Sequence, residues 1–291
     1  MLTAFDYIMN LLNLGCGKRF HKDWTNLDFR SDNRDVIEHN LLNGIPFKDN
    51  SFDVVYHSHV LEHFARKDAV RLIQECFRVL KPYGILRLAV PDLEMIAKEY
   101  LHNLERAINN EPCAEFDYDW ILLEMYDQTV RNTSGGEIAN YLFRKDIPNE
   151  EYLFNRIGDE GKNLHKNYLN SLNNKFDKQI NPVPFSIKIQ AKRLYQRVKN
   201  VLTRTIFRTE YEVLREESEA LQIGRFRLSG EVHQHMYDRY SLGKLLSGCG
   251  FINIKVVSSV ESDIIDWNVY QLDSLDGNTL KPDSLFVEAI K

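Results

Sequence analysis

A short apolar strand near the start of the chain leads directly into a pair of glycines, within the stretch LNLGCGKRFHKDWTNLDF (residues 12–29). Gly15 and Gly17 have no Cβ atom, so the backbone around them can turn tightly and approach a ligand closely. Asp28 follows Gly17 by eleven residues, at the end of the next predicted strand. A carboxylate at that place can accept hydrogen bonds from two ribose hydroxyls. Because ligands of parallel sheets bind beyond the carboxyl ends of the strands, this spacing predicts a nucleoside held across two adjacent strands.

The same stretch departs from the dinucleotide-binding fingerprint. That fingerprint places a third glycine three residues after the second, where this chain has Phe20, and an acidic residue about twenty residues further on. An NAD-binding site is therefore not predicted. When the stretch is taken alone, a tight turn without any ligand is the remaining alternative.

Strand and helix patterns alternate along the first half of the predicted core. Only about ten residues separate the first two strands, which leaves room for one or two helical turns between them. The helix predicted over 68–80 has apolar residues at helical spacing and ends at the turn KPYG (81–84). Strands connected by such crossovers form a parallel sheet with helices on both faces. The predicted strands of this half are 11–15, 24–29, 35–39, 52–57 and 85–90.

The pattern changes after Glu94, where helical segments alternate with polar, Asn-rich stretches. This change predicts a mostly helical insertion over 95–231. Residues 1–94 and 232–291 are expected to form one α/β domain around a mostly parallel, seven-stranded sheet. The remaining predicted elements are helices over 94–109, 117–131, 187–222 and 240–247 and strands over 252–257 and 284–290.

Composition argues against several other classes of protein. The 291 residues have a net charge of −5, which argues against nucleic acid as a partner. The four cysteines are far apart and form no CxxC pair, a pattern that fits free thiols in a reducing compartment better than disulfides or a zinc site. No stretch approaches the roughly 18 apolar residues of a membrane span, and the first residues lack the basic region of a signal peptide. We therefore expect a cytoplasmic protein.

Four further stretches resemble a known family. Residues 40–64, NLLNGIPFKDNSFDVVYHSHVLEHF, and residues 72–94, LIQECFRVLKPYGILRLAVPDLE, resemble class I S-adenosylmethionine-dependent methyltransferases. Residues 233–251 and 282–291 look like the C-terminal half of that family. The resemblance implies a Rossmann-like methyltransferase fold, with S-adenosylmethionine as the cofactor and the helical insertion as the acceptor pocket.

A fifth stretch concerns the acceptor. Residues 122–142, LLEMYDQTVRNTSGGEIANYL, are similar to a segment of bacterial members whose genes accompany surface-polysaccharide synthesis. This similarity implies O-methylation of a sugar or glycan intermediate. Two alternatives stay open, which are methylation of a small secondary metabolite and a catalytically silent cofactor-binding or scaffold protein.

The resemblance also implies a set of cofactor-binding residues. The glycine loop would pass beneath the methionine portion of the cofactor, Asp28 would hold the ribose hydroxyls, and residues 40 and 41 would flank the adenine. Many members have an acid at the positions of Asn13 and Asn40. An amide still offers a donor and an acceptor, so weaker cofactor binding is expected. The implied cofactor-binding residues are Asn13, Gly15, Cys16, Gly17, Asp28, Asn40, Leu41 and His57.

Histidines supply the candidate general bases. A hydroxyl acceptor has to lose a proton during methyl transfer, and histidine is the side chain best suited to take it near neutral pH. The end of strand four faces the transferable methyl in this fold, so His59 is predicted as a catalytic residue, together with His233. The alternative is that these histidines pack the core or line the cofactor. A metal site made from His57, His59 and His63 is not predicted, because no acidic cluster accompanies them.

Acceptor-binding residues are predicted beside these histidines. Arg131 and the glycines after it can bind a carboxylate or phosphate through a forked guanidinium and free backbone N–H groups, or they form an ordinary helix end. Asp92 is expected first as a helix cap and second as an acceptor contact. The predicted acceptor-binding residues are His63, Asp92, Arg131, Gly135, His235 and Tyr237.

The segment 178–209 contains eight basic residues and no acidic one. Its apolar residues recur at helical spacing, which predicts an amphipathic helix with a basic face. Such a face is either simply solvated or attracts phosphates, those of a nucleotide-sugar or lipid-linked acceptor or of an anionic membrane surface. If the basic face binds an anionic membrane surface, we expect the protein to lie at the membrane periphery.

Overall fold

The computed structural model describes residues 9–179 and 208–291. The predicted basic helix lies outside these residues except at its two ends. No helix in the two described stretches combines the length and the apolar character that crossing a membrane requires.

A seven-stranded sheet lies at the centre of the fold. The strands of the described residues are β1 (Leu11–Leu14), β2 (Thr25–Asp28), β3 (Val36–Glu38), β4 (Phe52–Ser58), β5 (Leu80–Pro91), β6 (Ile252–Val257), β7 (Ser274–Leu275), β8 (Asn278–Thr279) and β9 (Ser284–Ile290). The sheet has the order β3-β2-β1-β4-β5-β9-β6, in which β1 to β5 run parallel and β9 runs antiparallel to both of its neighbours. The short strands β7 and β8 form a separate hairpin. The predicted mostly parallel, seven-stranded sheet is confirmed.

Helices surround this sheet and fill the region after β5. They are α1 (Arg66–Val79), α2 (Leu93–Ile108), α3 (Ala114–Val130), α4 (Gly136–Leu142), α5 (Glu150–Gln179), α6 (Arg208–Arg227), α7 (Arg239–Gly248) and α8 (Trp267–Tyr270). Five of them, α2 to α6, lie in the region that the sequence predicts as a helical insertion.

Two local predictions were wrong. The turn predicted over 81–84 belongs to β5, because the chain continues the strand through an irregularity at Tyr83, which has a positive φ of 65°. The polar, Asn-rich stretch after residue 149 forms the long helix α5. This helix is interrupted at Gly158 (φ 65°), where a Cβ would lie 2.5 Å from the carbonyl oxygen of Leu280. Close backbone contact thus holds the start of α5 against the chain that leads into β9.

The two faces of the sheet are covered by different elements. Alternate strand residues such as Leu12 and Val55 face the main core, which α1 and α7 complete. Their neighbours Leu11 and Tyr56 point to the opposite face, where they pack with Trp267 of α8. This alternation is the period of two that a strand imposes on its side chains.

A buried arginine fastens the segment 258–273 to the second face. Arg87 of β5 is fully buried, and its guanidinium donates to Asp273 Oδ2 and to Glu288 Oε1, both at 2.8 Å. The same group donates to the backbone carbonyls of residues 258, 259 and 261 and lies over the ring of Trp267 at 4.3 Å. These five bonds match the five N–H groups of a guanidinium, so the buried charge is fully hydrogen-bonded.

Candidate active site

The glycine loop and the acid of the next strand meet at the carboxyl edge of the sheet. Gly15 (φ 61°) and Gly17 (φ 55°) both have left-handed backbone conformations. A Cβ on Gly15 would lie 2.4 Å from Val60 Cγ2, whereas a Cβ on Gly17 would meet no atom within 4 Å. The N–H of Gly17 donates to Asp28 Oδ2 at 2.7 Å. The loop is therefore packed tightly on one side and open on the other.

Asn13 supports this loop from inside the fold. The side chain is buried, and its Nδ2 donates to Asn26 Oδ1 at 3.2 Å and to the carbonyl oxygen of Arg19 at 3.3 Å. A carboxylate could make neither bond, because it has no hydrogen to donate. The amide at this position is thus required by the local structure of the loop.

A cavity of about 740 Å³ opens beside the loop. It lies between the carboxyl ends of β1 and β4, the segment 269–273 and the β7–β8 hairpin. Its volume is typical of pockets for small molecules and cofactors, which measure roughly 300–1,000 Å³. We call it the loop cavity. Among its lining residues are Asn13, Gly15, Cys16, Gly17, Lys18, Arg19, Tyr56, Ser58, His59, Glu160, Asp273 and Lys281.

Three predicted cofactor residues do not line the loop cavity. Asp28 accepts a hydrogen bond from Gly17, and Gly17 lines the cavity. Asn40 caps a short turn, because its Oδ1 accepts a hydrogen bond from the N–H of Leu42 at 3.0 Å. Leu41 lies in the same turn and lines a separate, smaller cavity. The side predicted for the adenine is therefore not part of the loop cavity.

His57 also lies away from the loop cavity. It alternates along β4 with Tyr56 and Ser58, which line the cavity, so its side chain is on the α1 face of the sheet. The ring is fully buried and neither nitrogen has a hydrogen-bond partner. Burial lowers the pKa of His57 to about 4, so the ring is neutral at neutral pH.

A second cavity, of about 190 Å³, adjoins the first. We call it the insertion cavity, because helices α3, α4 and α5 form most of its wall. The two cavities share His59, Glu160 and Lys281. The other residues that line the insertion cavity are Pro91, Ile96, Trp120, Glu124, Gln128, Ile138, Leu142, Ile157, Gly161, Leu164 and Asp283.

His59 stands at the junction of the two cavities. Its Nε2 lies 2.8 Å from Ser284 Oγ, and its Nδ1 lies 3.2 Å from Glu62 Oε1. Burial, together with the positive charge of Lys281, lowers the pKa of His59 to about 3. The imidazole is consequently neutral at neutral pH, and both of its nitrogens face protein groups.

Asp283 is a candidate site residue that no sequence pattern predicted. Its side chain lines the insertion cavity beside His59, and burial raises the pKa of its carboxyl group. A raised pKa makes a carboxylate a stronger base. The available signal was the position of Asp283 just before the last strand. Because β9 runs antiparallel to β5, the first residue of β9 lies at the same edge of the sheet as the carboxyl ends of the parallel strands.

Arg131 and Gly135 do bind a carboxylate, but it belongs to this chain. The guanidinium of Arg131 lies 3.2 Å from Glu231 Oε1, and the N–H of Gly135 donates to the same oxygen at 3.0 Å. Both residues therefore join α3 and α4 to the segment that returns to the core. Neither of them lines the loop cavity or the insertion cavity.

Three other predicted acceptor residues have structural contacts. Asp92 caps α2, because its Oδ1 accepts from the backbone N–H groups of Glu94 (2.9 Å) and Met95 (3.2 Å). The rings of His235 and Tyr237 pack edge to face at 4.7 Å. The expected capping role of Asp92 is thus observed, and none of the three lines either cavity.

His63 and His233, which are 170 residues apart in the chain, come together in the structure. Their rings meet edge to face at 4.7 Å, beside the buried carboxylate of Glu62. Burial lowers the pKa of both histidines, that of His233 to about 3. Neither ring lines a cavity, so His59 is the predicted base that faces one.

One comparison with known proteins concerns the part of the chain that contains the glycine loop. Residues 12–88, which contain the glycine loop, Asp28, β4 and most of β5, match a family described as a methyltransferase domain. A stretch of 56 residues is 39% identical to a probable S-adenosylmethionine-dependent methyltransferase of Mycolicibacterium smegmatis and covers 19% of this chain and 21% of that protein. Residues 12–88 are therefore similar to a methyltransferase domain. The match to the curated relative spans about a fifth of the length of that relative.

Two solved structures align with nearly the whole chain. An S-adenosylmethionine-dependent methyltransferase of Archaeoglobus fulgidus aligns over 99% of this chain and 88% of its own, at 11% identity and a TM-score of 0.37. One of Thermotoga maritima aligns over 97% of this chain and 82% of its own, with the same identity and TM-score. Because both TM-scores are low, the fold of this chain is defined by the strand order of its sheet and not by these alignments.

The glycine-loop side of the loop cavity suits the methionine portion of S-adenosylmethionine, whereas the residues predicted to flank the adenine lie outside this cavity. Gly17 leaves open space where a Cβ would stand, so a ligand can lie against the backbone there. Lys18 and Arg19 line the cavity and offer cations for the methionyl carboxylate. Asp28 accepts from the N–H of Gly17 through Oδ2 and from the N–H of Arg30 through Oδ1, and each oxygen keeps a further lone pair that could accept from a ribose hydroxyl.

Proposed function

We propose that this chain transfers the methyl group of S-adenosylmethionine to a hydroxyl of a sugar or glycan intermediate. The observation that supports this proposal is the pair of adjoining cavities that share His59, Glu160 and Lys281. The loop cavity would take the cofactor and the insertion cavity would take the acceptor. The two molecules would then meet beside His59.

The reaction requires positioning more than covalent chemistry from the protein. S-adenosylmethionine supplies an electrophilic methyl group when it is bound. The protein has to align the acceptor oxygen, exclude water and remove a proton from the acceptor. Apolar residues of α4 and α5 on one side of the insertion cavity would exclude water, namely Ile138, Leu142, Ile157 and Leu164.

The other side of the insertion cavity suits an acceptor with several hydroxyl groups. Gln128, Glu160 and Asp283 offer polar atoms that can exchange hydrogen bonds with hydroxyls, and Lys281 adds a cation. Trp120 contributes a flat aromatic surface, against which the C–H face of a sugar ring can pack. An apolar metabolite would leave these polar groups without partners.

Asp283 is the base in this proposal. Its raised pKa lies closer to the working pH of the enzyme than that of an ordinary carboxyl, and it faces the insertion cavity directly. His59, which the sequence predicts as a base, has a low pKa and contacts Ser284 and Glu62 with its two nitrogens. In this proposal His59 therefore positions the acceptor instead of taking its proton.

The proposal is tested with labelled S-adenosylmethionine and fractionated lysate of the source cells. The wild-type protein is expected to label a carbohydrate fraction, and Asp283→Asn is expected to lower turnover about a hundredfold. Asp276→Asn, an exposed position on the β7–β8 hairpin, is the matched control and is expected to keep full activity. Cofactor affinity should be equal in all three proteins.

Two outcomes would contradict parts of the proposal. Label in an apolar small-molecule fraction, with none in carbohydrate, would favour the secondary-metabolite alternative. An Asp283→Asn variant that loses less than about tenfold would show that another group takes the proton.

A further inference from the structure

A cluster of three potential metal ligands lies behind His59, outside both cavities. Glu62, His63 and His233 each offer one ligand atom, and these atoms lie within 4.8 Å of one another. Glu62 is fully buried and His233 is 5% exposed. The proposed methyl transfer uses none of the three side chains.

Glu62 has no partner that accounts for its burial. Neither of its carboxylate oxygens has a hydrogen bond, although Oε1 lies 3.2 Å from His59 Nδ1. The guanidinium of Arg131 is paired with Glu231. A buried carboxylate without hydrogen bonds is costly unless it binds a cation or a proton. Nδ1 of His63 is likewise buried and without a partner.

The backbone holds these three ligands in place from three directions. Glu62 and His63 lie in the short turn Leu61–His63 that follows β4. The carbonyl oxygen of Glu62 accepts from the N–H of Gln234 at 2.7 Å, and the N–H of His233 donates to the carbonyl of Gln128 in α3 at 2.9 Å. The returning segment is thus fixed against both the core and the insertion, which is the kind of support that metal ligands require.

We propose that Glu62, His63 and His233 bind one divalent transition-metal ion of the zinc type. Two imidazoles and one carboxylate are a ligand set that zinc uses, with a fourth position left for another group. His59 Nδ1 contacts Glu62 Oε1 at 3.2 Å but is not one of these three ligands. Ligand atoms around zinc are roughly 3–3.5 Å apart, so a contraction of about 1 Å would close the site.

The ion would link the turn after β4 to the segment that returns from the insertion to the core. It would neutralise the Glu62 carboxylate and fix His59, the residue at the junction of the two cavities. The competing description is a protonated Glu62 that hydrogen-bonds to a neutral histidine without any metal. The sequence gives little indication of the metal-bound state or of the protonated Glu62, because His233 is 170 residues from His63.

The test is metal binding by the full-length protein after it has been stripped with a chelator. After dialysis against Zn²⁺, about one equivalent per chain is expected to remain, and Co²⁺ in its place should give the visible absorption of a tetrahedral site. His233→Gln is expected to weaken Zn²⁺ binding about a hundredfold or more. His102→Gln, an exposed residue of α2, is the control and should bind like the wild type.

Wild-type protein that retains neither Zn²⁺ nor Co²⁺ would overturn the proposal, whatever the variants do. It would equally be overturned if His102→Gln lost as much affinity as His233→Gln. Circular dichroism of each metal-free protein shows whether the variant is folded, and the result for the wild type decides the question even if His233→Gln does not fold.

Discussion

At the scale of single residues, short polar side chains fix the local backbone where helices begin. Asp238, at the start of α7, is an example. Its Oδ1 accepts from the N–H of Ser241 at 2.7 Å, and Ser241 Oγ accepts from the N–H of Asp238 at 3.0 Å. The hydrogen bond from Ser241 lowers the pKa of the Asp238 carboxyl. This cap ends the segment that contains His233 and Tyr237.

Asp238→Ala is expected to lower the free energy of unfolding by about 1 kcal/mol at neutral pH. A carboxyl whose pKa is lowered by folding stabilises the protein above its unfolded pKa and loses that effect as the pH falls through the folded pKa. The difference between wild type and variant should therefore shrink below about pH 4. Denaturant unfolding at several pH values measures it, with the exposed Asp32→Ala as control. A difference that does not change with pH would contradict this role.

Contacts between residues close in the sequence were easier to predict than contacts between residues far apart in the chain. The cap at Asp92 and the contact of Asp28 with the glycine loop follow from local spacing, and both are observed. Arg131 and Gly135 were predicted to bind an acceptor, and in the structure both contact a carboxylate of this chain. Their partner, Glu231, lies about a hundred residues further on, so no local pattern could reveal it.

At the scale of elements, the buried Arg87 determines how the segment 258–273 lies on the sheet. Its two carboxylate partners come from that segment and from β9. Because residues 269–273 also line the loop cavity, Arg87 holds one wall of the cofactor site from behind. Tyr56 adds a hydrogen bond from its hydroxyl to Asp273 Oδ1 at 2.6 Å.

Arg87→Met is expected to lower the free energy of unfolding by about 3–5 kcal/mol, because it leaves two buried carboxylates without their cation. The control is Arg71→Ala, an exposed residue 3.7 Å from Asp68, which should cost less than about 0.5 kcal/mol. Chemical denaturation compares the two. If the effects of the two substitutions were equal, the ion cluster would not be what attaches this segment.

The elements of the sheet were predicted better than those of the insertion. Apolar residues mark the strands and α1 strongly, since both are packed in the main core. Helix α5 was missed because its sequence is polar and rich in asparagine, and because it packs through Gly158 and a few apolar side chains. The antiparallel direction of β9 depends on pairing across the sheet, which a strand pattern does not encode.

At the scale of the whole molecule, one close contact joins the insertion to the core beside both cavities. Gly158→Ala would place a Cβ 2.5 Å from the carbonyl oxygen of Leu280 and 2.7 Å from Pro282 Cδ. We expect α5 to shift, lowering the free energy of unfolding by about 1–3 kcal/mol and reducing kcat/KM for the acceptor. Gly224→Ala in α6, where a Cβ meets nothing within 4 Å, is the control.

Cofactor affinity separates this expectation from general damage. Gly158→Ala should impair acceptor turnover more than binding of S-adenosylmethionine, because Leu280 lines the loop cavity but the glycine loop belongs to a different part of the chain. If Gly158→Ala lost cofactor affinity and acceptor turnover to the same extent, the cofactor site and the acceptor site would not depend on separate parts of the chain.

The most direct test of the cofactor site is calorimetry with S-adenosylmethionine and its demethylated product. Wild-type protein is expected to bind both with one site per chain. Asp28→Ala removes the carboxylate that orders Gly17 and that we expect to hold the ribose hydroxyls, which should cost about 2–3 kcal/mol, or tens- to hundredfold in Kd. Asp32→Ala should leave the Kd unchanged. Wild-type protein that binds neither compound, or an Asp28→Ala variant with the wild-type Kd, would contradict the assignment of this loop as the cofactor site.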